Sequence, residues 1–256
     1  MNTDSVWKEL LIDITAGGSE VRPRGIPVKE LIGSSYRVDM NKPIISLASR
    51  KVNHAFMFAE AAWICGGSNW LADLTPYMKR YADFSDDGVF LNGAYGVKVA
   101  EQVAYAADTL SKDRDSRQAI INIWRERPAS SKDIPCTINM QFFIRDHKLH
   151  MVTNMRSQDV VLGFTYDVFT FSAVAALVRS LLILRGINVE LGFLHVHVGS
   201  LHLYETHFDK VDEWLHDVMP DAQHRDVQDD WTILLAEATS PRFFVHTLKM
   251  LADDYS

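Results

Sequence analysis

The chain has 256 residues, 47% of them hydrophobic, enough to build one large core. Its formal net charge of −7 excludes a surface built to coat nucleic acid, though a local basic pocket for a single phosphate remains compatible with it. Composition does not shift along the chain and no Pro/Gly/Ser-rich linker divides it, so residues 1–256 read as a single domain.

The opening Met1-Asn2-Thr3-Asp4-Ser5 has neither a positively charged nor an apolar leader region, which predicts a cytoplasmic chain. Residues 5–14 and 52–65 place apolar side chains at helical spacing, with Gly17-Gly18 and Gly66-Gly67 as stops. Residues 119–124, 138–144 and 149–153 turn to β-branched and aromatic side chains, and Asp146-His147-Lys148 between the last two has turn character, which predicts paired strands. Residues 168–184 predict a long helix ended by Gly186. That stretch approaches the ~20 apolar residues a bilayer span needs, but it contains Ser172, Arg179 and Ser180 and reads as a core helix. Residues 189–198 predict another strand, and 201–218 a helix with one polar side. The fold class expected is α+β on a mixed or antiparallel sheet, without the regular alternation of a doubly wound fold. No glycine-rich nucleotide loop of either common type is present.

Of the two cysteines, Cys65 lies in a helix-like stretch and Cys136 in Ile134-Pro135-Cys136-Thr137; a reducing compartment is a simpler reading than a disulfide. Pro135 keeps the chain before Cys136 extended, at the mouth of a predicted strand. The thiol is then either a small buried hydrophobe or a nucleophile, and a nucleophile needs cations such as Arg117 and Arg156 to lower its pKa. The run Asn154-Met155-Arg156-Ser157-Gln158-Asp159 is either a solvated turn or a phosphate site, in which the Arg156 fork suits phosphate oxygens. His195, His197, His202 and His207 raise the rival of a metal-dependent hydrolase, since His-x-His on a strand puts two imidazoles on one face. No cysteine or carboxylate completes that ligand set by spacing, so His202 and Tyr204 read instead as hydrogen-bonding partners of a polar ligand. Glu60 interrupts the apolar run Phe58-Ala59-Glu60-Ala61-Ala62-Trp63. Facing inward it would have a raised pKa and serve as a general acid; facing outward it is a surface charge, and periodicity leaves both open.

Together these motifs resemble the thymidylate synthase family over nearly the whole chain. Pro135-Cys136 resembles its nucleophile motif, and Arg156 to Gly163 is similar to its Arg-Ser-x-Asp-hydrophobic-hydrophobic-Leu-Gly signature. Asp115-Ser116-Arg117 resembles the segment that crosses a dimer to the partner's phosphate site, Gly93-Ala94-Tyr95-Gly96 the tyrosine loop, His202-Leu203-Tyr204 the pair that holds the sugar 3′-hydroxyl, and Glu60-Ala61-Ala62-Trp63 the catalytic glutamate helix. The likeness is nearest to phage-type deoxycytidylate (dCMP) hydroxymethylases. Thr137 follows Cys136 where synthases usually have His, and Asp167 stands where they carry Asn. An Asn amide can donate to uracil O4, whereas an ionised carboxylate can only accept and suits protonated cytosine.

The resemblance implies a thymidylate synthase-like fold with a sheet face at a homodimer interface. It implies catalytic roles for Cys136, Glu60, Asp167 and Tyr95, and nucleotide contacts from Arg24, Arg117, Arg156, Ser157, Asp167, His202 and Tyr204. Asp159, Gly163 and Tyr81 would meet 5,10-methylenetetrahydrofolate as co-substrate, with no metal, membrane or nucleic acid required. Alternatives within the family are a CMP hydroxymethylase and a dUMP hydroxymethylase or thymidylate synthase, the last two requiring Asp167 to be protonated or displaced; outside it stands a non-catalytic nucleotide- or RNA-binding relative. Three departures are visible: Gln118 replaces the usual second arginine, Arg22 and Arg24 align equally well with the family's N-terminal phosphate arginine, and residues 248–256 do not match the synthase tail, which favours hydration over reduction.

Overall fold

In the computed structural model, which describes residues 2–127 and 130–256, the long apolar helix α4 (Leu162–Leu184) begins earlier than apolar periodicity predicts. Asp159 sets that start: its Oδ1 accepts the Val161 N–H at 2.9 Å and its Oδ2 the Leu162 N–H at 3.1 Å, satisfying two donors a helix start leaves free. Gly186, at φ 76°, takes the left-handed turn that follows the helix. α4 is long and apolar enough to span a membrane, but 72% of its most apolar window is buried inside the protein.

α4 is the crossover between strands β5 (Lys148–Asp159) and β6 (Glu190–Tyr204), which pair in parallel. The remaining strands are β1 (Ser19–Val21), β2 (Val28–Asp39), β3 (Ile120–Asn122) and β4 (Thr137–Arg145). They complete a six-stranded mixed sheet of order β1-β2-β6-β5-β4-β3, antiparallel apart from the β5–β6 pair. The predicted β4–β5 hairpin forms, and its two turn residues, Asp146 (φ 50°) and His147 (φ 58°), take the left-handed conformation that matches strand twist.

Helices cover one face of the sheet. α1 (Thr3–Gly17) packs beside β2, while α2 (His54–Cys65) and α3 (Tyr95–Lys112) pack against α4. Inward residues of the strands, among them Phe142, Met151, Thr153, Leu194 and Val196, are fully buried, as are Phe169 and Phe171 of α4. Burying each such phenylalanine stabilises the fold by roughly 1.5–3 kcal/mol. Phe58 of α2 meets Phe169 edge to face, ring centroids 5.2 Å apart.

The helix predicted for residues 201–218 is not formed as such. Residues 201–204 instead continue β6, where Leu201 and Leu203 stand opposite Leu31 and Lys29 of β2. A 3-10 turn (Glu205–Lys210) and the short α5 (Val211–His216) follow. The chain closes with α6 (His224–Glu237) and α7 (Pro241–Asp254), the latter packed on α2.

Candidate active site

Cys136 lies immediately before β4, half-buried and free of any disulfide, as is the buried Cys65. Its loop is fastened to β5 through Arg156, whose backbone N–H donates to the Cys136 carbonyl at 2.8 Å. The Arg156 guanidinium donates to the carbonyls of Pro135 (2.9 Å) and Ile134 (3.0 Å) and lies 6.0 Å from the Trp124 ring centre. Arg156 and Arg24 both favour the Cys136 thiolate, but burial outweighs them, and Asp167 and Asp133 add to the rise in its pKa. The expected cation effect is therefore present but is not the larger one. Arg117 is not among the groups acting on this thiol; it lines a separate hollow of about 460 Å³ with Tyr105, Lys112, Ser116 and Gln118.

Glu60 faces inward, which resolves the ambiguity of its position in α2. It accepts the Tyr81 hydroxyl on one oxygen and the Thr170 hydroxyl on the other at 3.4 Å. Burial pushes its carboxyl up to about 7, against the opposing pull of those two hydrogen bonds. Tyr95, at the start of α3, accepts the Thr137 N–H at 3.3 Å and feels the charges of both Cys136 and Asp167. Asp167 projects from the second turn of α4, where the Gln158 amide donates to its Oδ2 at 2.9 Å. Burial pushes Asp167 up to about 8; the Gln158 bond opposes the rise, and Glu60 and Asp159 add to it. Burial thus works against the ionised Asp167 expected from the sequence, because dehydration costs its anion more than one donor returns.

The parallel register sets Ser157 opposite Ser200 and Asp159 opposite His202. His202 is nearly buried, with its Nδ1 at 3.4 Å from the Ser157 hydroxyl, and its ring meets Tyr204 edge-on at 5.1 Å. Arg24, in a left-handed conformation at φ 53°, lies close enough to favour the anionic forms of Tyr204 and Cys136. His195 and His197 occupy other ground: His195 lies by the His150 ring (6.5 Å) and His197 bonds Ser35 (2.9 Å). Among the described residues no group of three or more His, Cys, Asp or Glu could hold a metal.

The sequence model for thymidylate synthase matches residues 5–228. The chain belongs to the thymidylate synthase family. A deoxyuridylate hydroxymethyltransferase of Bacillus phage SP01 is 28% identical over 222 residues, covering 78% of this chain and 56% of the phage protein. One from Pseudomonas phage M6 is 28% identical over 178 residues, 66% of this chain and 49% of its own length. The chain thus spans about half the length of these two relatives. A thymidylate synthase of Corynebacterium aurimucosum is 23% identical over 227 residues, covering 83% of this chain and 82% of its own.

The family motifs do not contain every residue that shapes this site. Gln158 fills the variable position of the Arg-Ser-x-Asp signature, and its oxygen accepts the Tyr36 hydroxyl at 2.8 Å. A polar residue at an inward strand position was the available signal. Arg50, also buried, donates to the Val161 carbonyl (2.8 Å) and the Thr165 hydroxyl (3.2 Å), bracing the start of α4 beneath the site. Between α2 and α3, Trp70 (51% exposed), Phe84 and Phe90 remain partly in solvent, with Trp70 packed on Phe90 at 4.6 Å and Phe84 against Tyr81.

Proposed function

We propose that this protein transfers a one-carbon unit to C5 of a cytosine nucleotide and hydrates it, forming a 5-hydroxymethyl nucleotide, with dCMP as the preferred substrate. The balance is dCMP plus 5,10-methylenetetrahydrofolate plus water giving 5-hydroxymethyl-dCMP plus tetrahydrofolate. The observation that carries this reading is the side chain at 167, a carboxyl held by the Gln158 amide at 2.9 Å where synthases carry an amide, among the same charges as Cys136, Glu60 and Tyr95.

Cys136, as thiolate, adds to C6 and forms an S–C6 bond, and the displaced electron pair moves through C5 and C4 toward N3. Asp167 gives its proton to N3 as that charge arrives and keeps accepting from N3–H and N4–H. A proton-bearing carboxyl suits cytosine because N3 is a basic ring nitrogen, whereas uracil presents at O4 a much weaker carbonyl base. Arg156 and Arg24 are the cations available to the 5′-phosphate, and Arg117 of a second copy is a third. Ser157, His202 and Tyr204 bind the phosphate and sugar, and Tyr95 sits beside the nucleophile.

The donor set fits a folate: a flat heteroaromatic ligand needs apolar faces, which the partly exposed Trp70, Phe84 and Phe90 offer, together with a polar anchor such as Asp159. Tyr81, packed on Phe84, and Gly163, beside Asp159 and Asp167, would complete the folate contacts. Bound there, 5,10-methylenetetrahydrofolate supplies the carbon. Glu60, raised to about 7, exchanges protons through the Tyr81 and Thr170 hydroxyls and, once the C5 proton has left to water, deprotonates the water that adds to the new carbon. C5=C6 re-forms as the C6–S bond breaks and Cys136 leaves as thiolate.

A second reading, hydroxymethylation of dUMP, is favoured by two observations: the phage relatives bear that name, and a neutral Asp167 can also donate to O4. Asp167→Asn separates the two. The amide donates to O4 without needing a proton but cannot protonate N3, so the variant should lose kcat/KM on dCMP and gain it on dUMP, with roughly tenfold or greater change in their ratio. A ratio that does not move, or a wild type already preferring dUMP, overturns the cytosine assignment.

A further inference from the structure

Gln158 is 2% exposed and fills the variable position of its signature, to which the family likeness assigns no role. Both ends of its amide are engaged. Nε2 donates to Asp167 Oδ2 at 2.9 Å, and Oε1 accepts the Tyr36 hydroxyl at 2.8 Å. Turned over, the amide would leave the Tyr36 O–H without its acceptor and would set oxygen against oxygen whenever Asp167 ionises. Tyr36 is in turn held by the Phe164 ring, with centroids 5.1 Å apart. Gly163 closes the group: a Cβ there would come within 3.2 Å of Gln158 Cγ and 3.4 Å of Asp167 Oδ2, so even a methyl group would press on this hydrogen bond.

We propose that Gln158, oriented by Tyr36, is a specificity-determining positioning residue that fixes which oxygen of Asp167 donates to the pyrimidine and which accepts. An amide N–H bonds best to the carbonyl oxygen of a neutral carboxyl, so Oδ2 is kept as acceptor and the proton resides on Oδ1. Cytosine needs a donor opposite N3 and an acceptor opposite N4; uracil needs the reverse, an acceptor opposite N3–H and a donor opposite O4. One fixed polarity therefore serves one base and opposes the other. Without Gln158 the proton can occupy either oxygen, and both bases can pair. The proposal rests on the reading that Asp167 faces the base.

The other titratable groups around Asp167 are Glu60 on α2, Asp159 on β5, Tyr95 on α3, Tyr81, Tyr36 on β2 and Cys136; apart from Tyr36, every one is intact in the variants of Gln158 and Tyr36. The experiment measures kcat/KM for dCMP and dUMP across pH in wild type, Gln158→Met, Tyr36→Phe and Asp167→Asn. Gln158→Met should compress the preference ratio by about tenfold, chiefly by admitting the disfavoured base. It should also move the Asp167 limb to higher pH, since a bond that favours the anion is gone. Tyr36→Phe, which keeps the packing, should move both in the same direction by less, and it decides the matter if the methionine variant does not fold. Equal losses on both nucleotides with an unmoved limb would make Gln158 a packing residue and overturn the proposal. If Asp167→Asn shifts the ratio and neither other variant does, the Gln158 proposal falls and the Asp167 reading stands; if none shifts it, both fall.

Discussion

Arg156 donates through Nε to the Pro135 carbonyl at 2.9 Å, so the cation that favours the Cys136 thiolate is fastened to the loop that carries the thiol. Charge and position are thereby coupled. Arg156→Ala should raise the thiol pKa further and slow alkylation of Cys136 by iodoacetamide at pH 8, with Cys65 unreactive throughout because burial pushes its thiol well up. Arg156→Lys should recover the charge effect but not the two carbonyl bonds, and so fall between. Equal alkylation rates in all three proteins would mean that Arg156 does not tune the thiol.

Cys136→Ser should reduce turnover by at least about a thousandfold, because a hydroxyl without an adjacent base is a far poorer nucleophile than a thiolate. Retention of more than about a tenth of the activity, equivalent to less than ~1.4 kcal/mol, would remove covalent catalysis from the account.

Glu60, raised to about 7, should give kcat/KM a limb that climbs through that pH as the base form appears. Glu60→Gln should abolish the limb together with most of the rate. Tyr81→Phe removes a hydrogen bond that lowers this pKa, so its limb should move upward. A downward or absent displacement would show that Tyr81 does not act on Glu60.

Asp167 also leaves a mark on stability. Its folded pKa is raised from 3.8 to about 8, so the fold holds the proton more tightly than the unfolded chain does. This contribution is fully present below pH 3.8 and is lost as pH rises through about 8. Between those limits wild type should lose on the order of 2–5 kcal/mol relative to Asp167→Asn, measured by urea unfolding at several pH values. Parallel stability curves would contradict the raised pKa.

How far the sequence discloses this molecule depends on burial. α2 and α4 are apolar nearly all round and announce themselves, and the β4–β5 hairpin carries both strand residues and a turn. β2 does not, because Gly33, Ser34 and Ser35 interrupt a strand whose residues are mostly half-exposed. α3 starts at Tyr95 with no side-chain cap, so its tyrosine reads as a loop. Motif likeness reaches Cys136, Glu60 and Asp167, yet Gln158 becomes meaningful only when β2 brings Tyr36 to one end of its amide and α4 brings Asp167 to the other.

The likeness of Asp115-Ser116-Arg117 to the family's cross-subunit segment carries the proposal that Arg117, which lines a hollow apart from the groups acting on Cys136, serves the site of a second copy in a homodimer. Arg117→Ala and Cys136→Ser chains, each inactive, should regain activity when mixed, since one site of the heterodimer holds both native residues. No recovery after verified subunit exchange would place Arg117 outside catalysis by its neighbour.

The central claim, folate-dependent one-carbon transfer to cytosine C5 through Cys136, is tested most directly by tritium release from C5-labelled dCMP, CMP and dUMP, with and without 5,10-methylenetetrahydrofolate. Folate-dependent release from dCMP should be at least about tenfold faster than from dUMP or CMP, and absent from Cys136→Ser. Faster release from CMP would reassign the sugar, and faster release from dUMP the base. Release that survives in Cys136→Ser, or no release from any of the three nucleotides, would contradict the account itself.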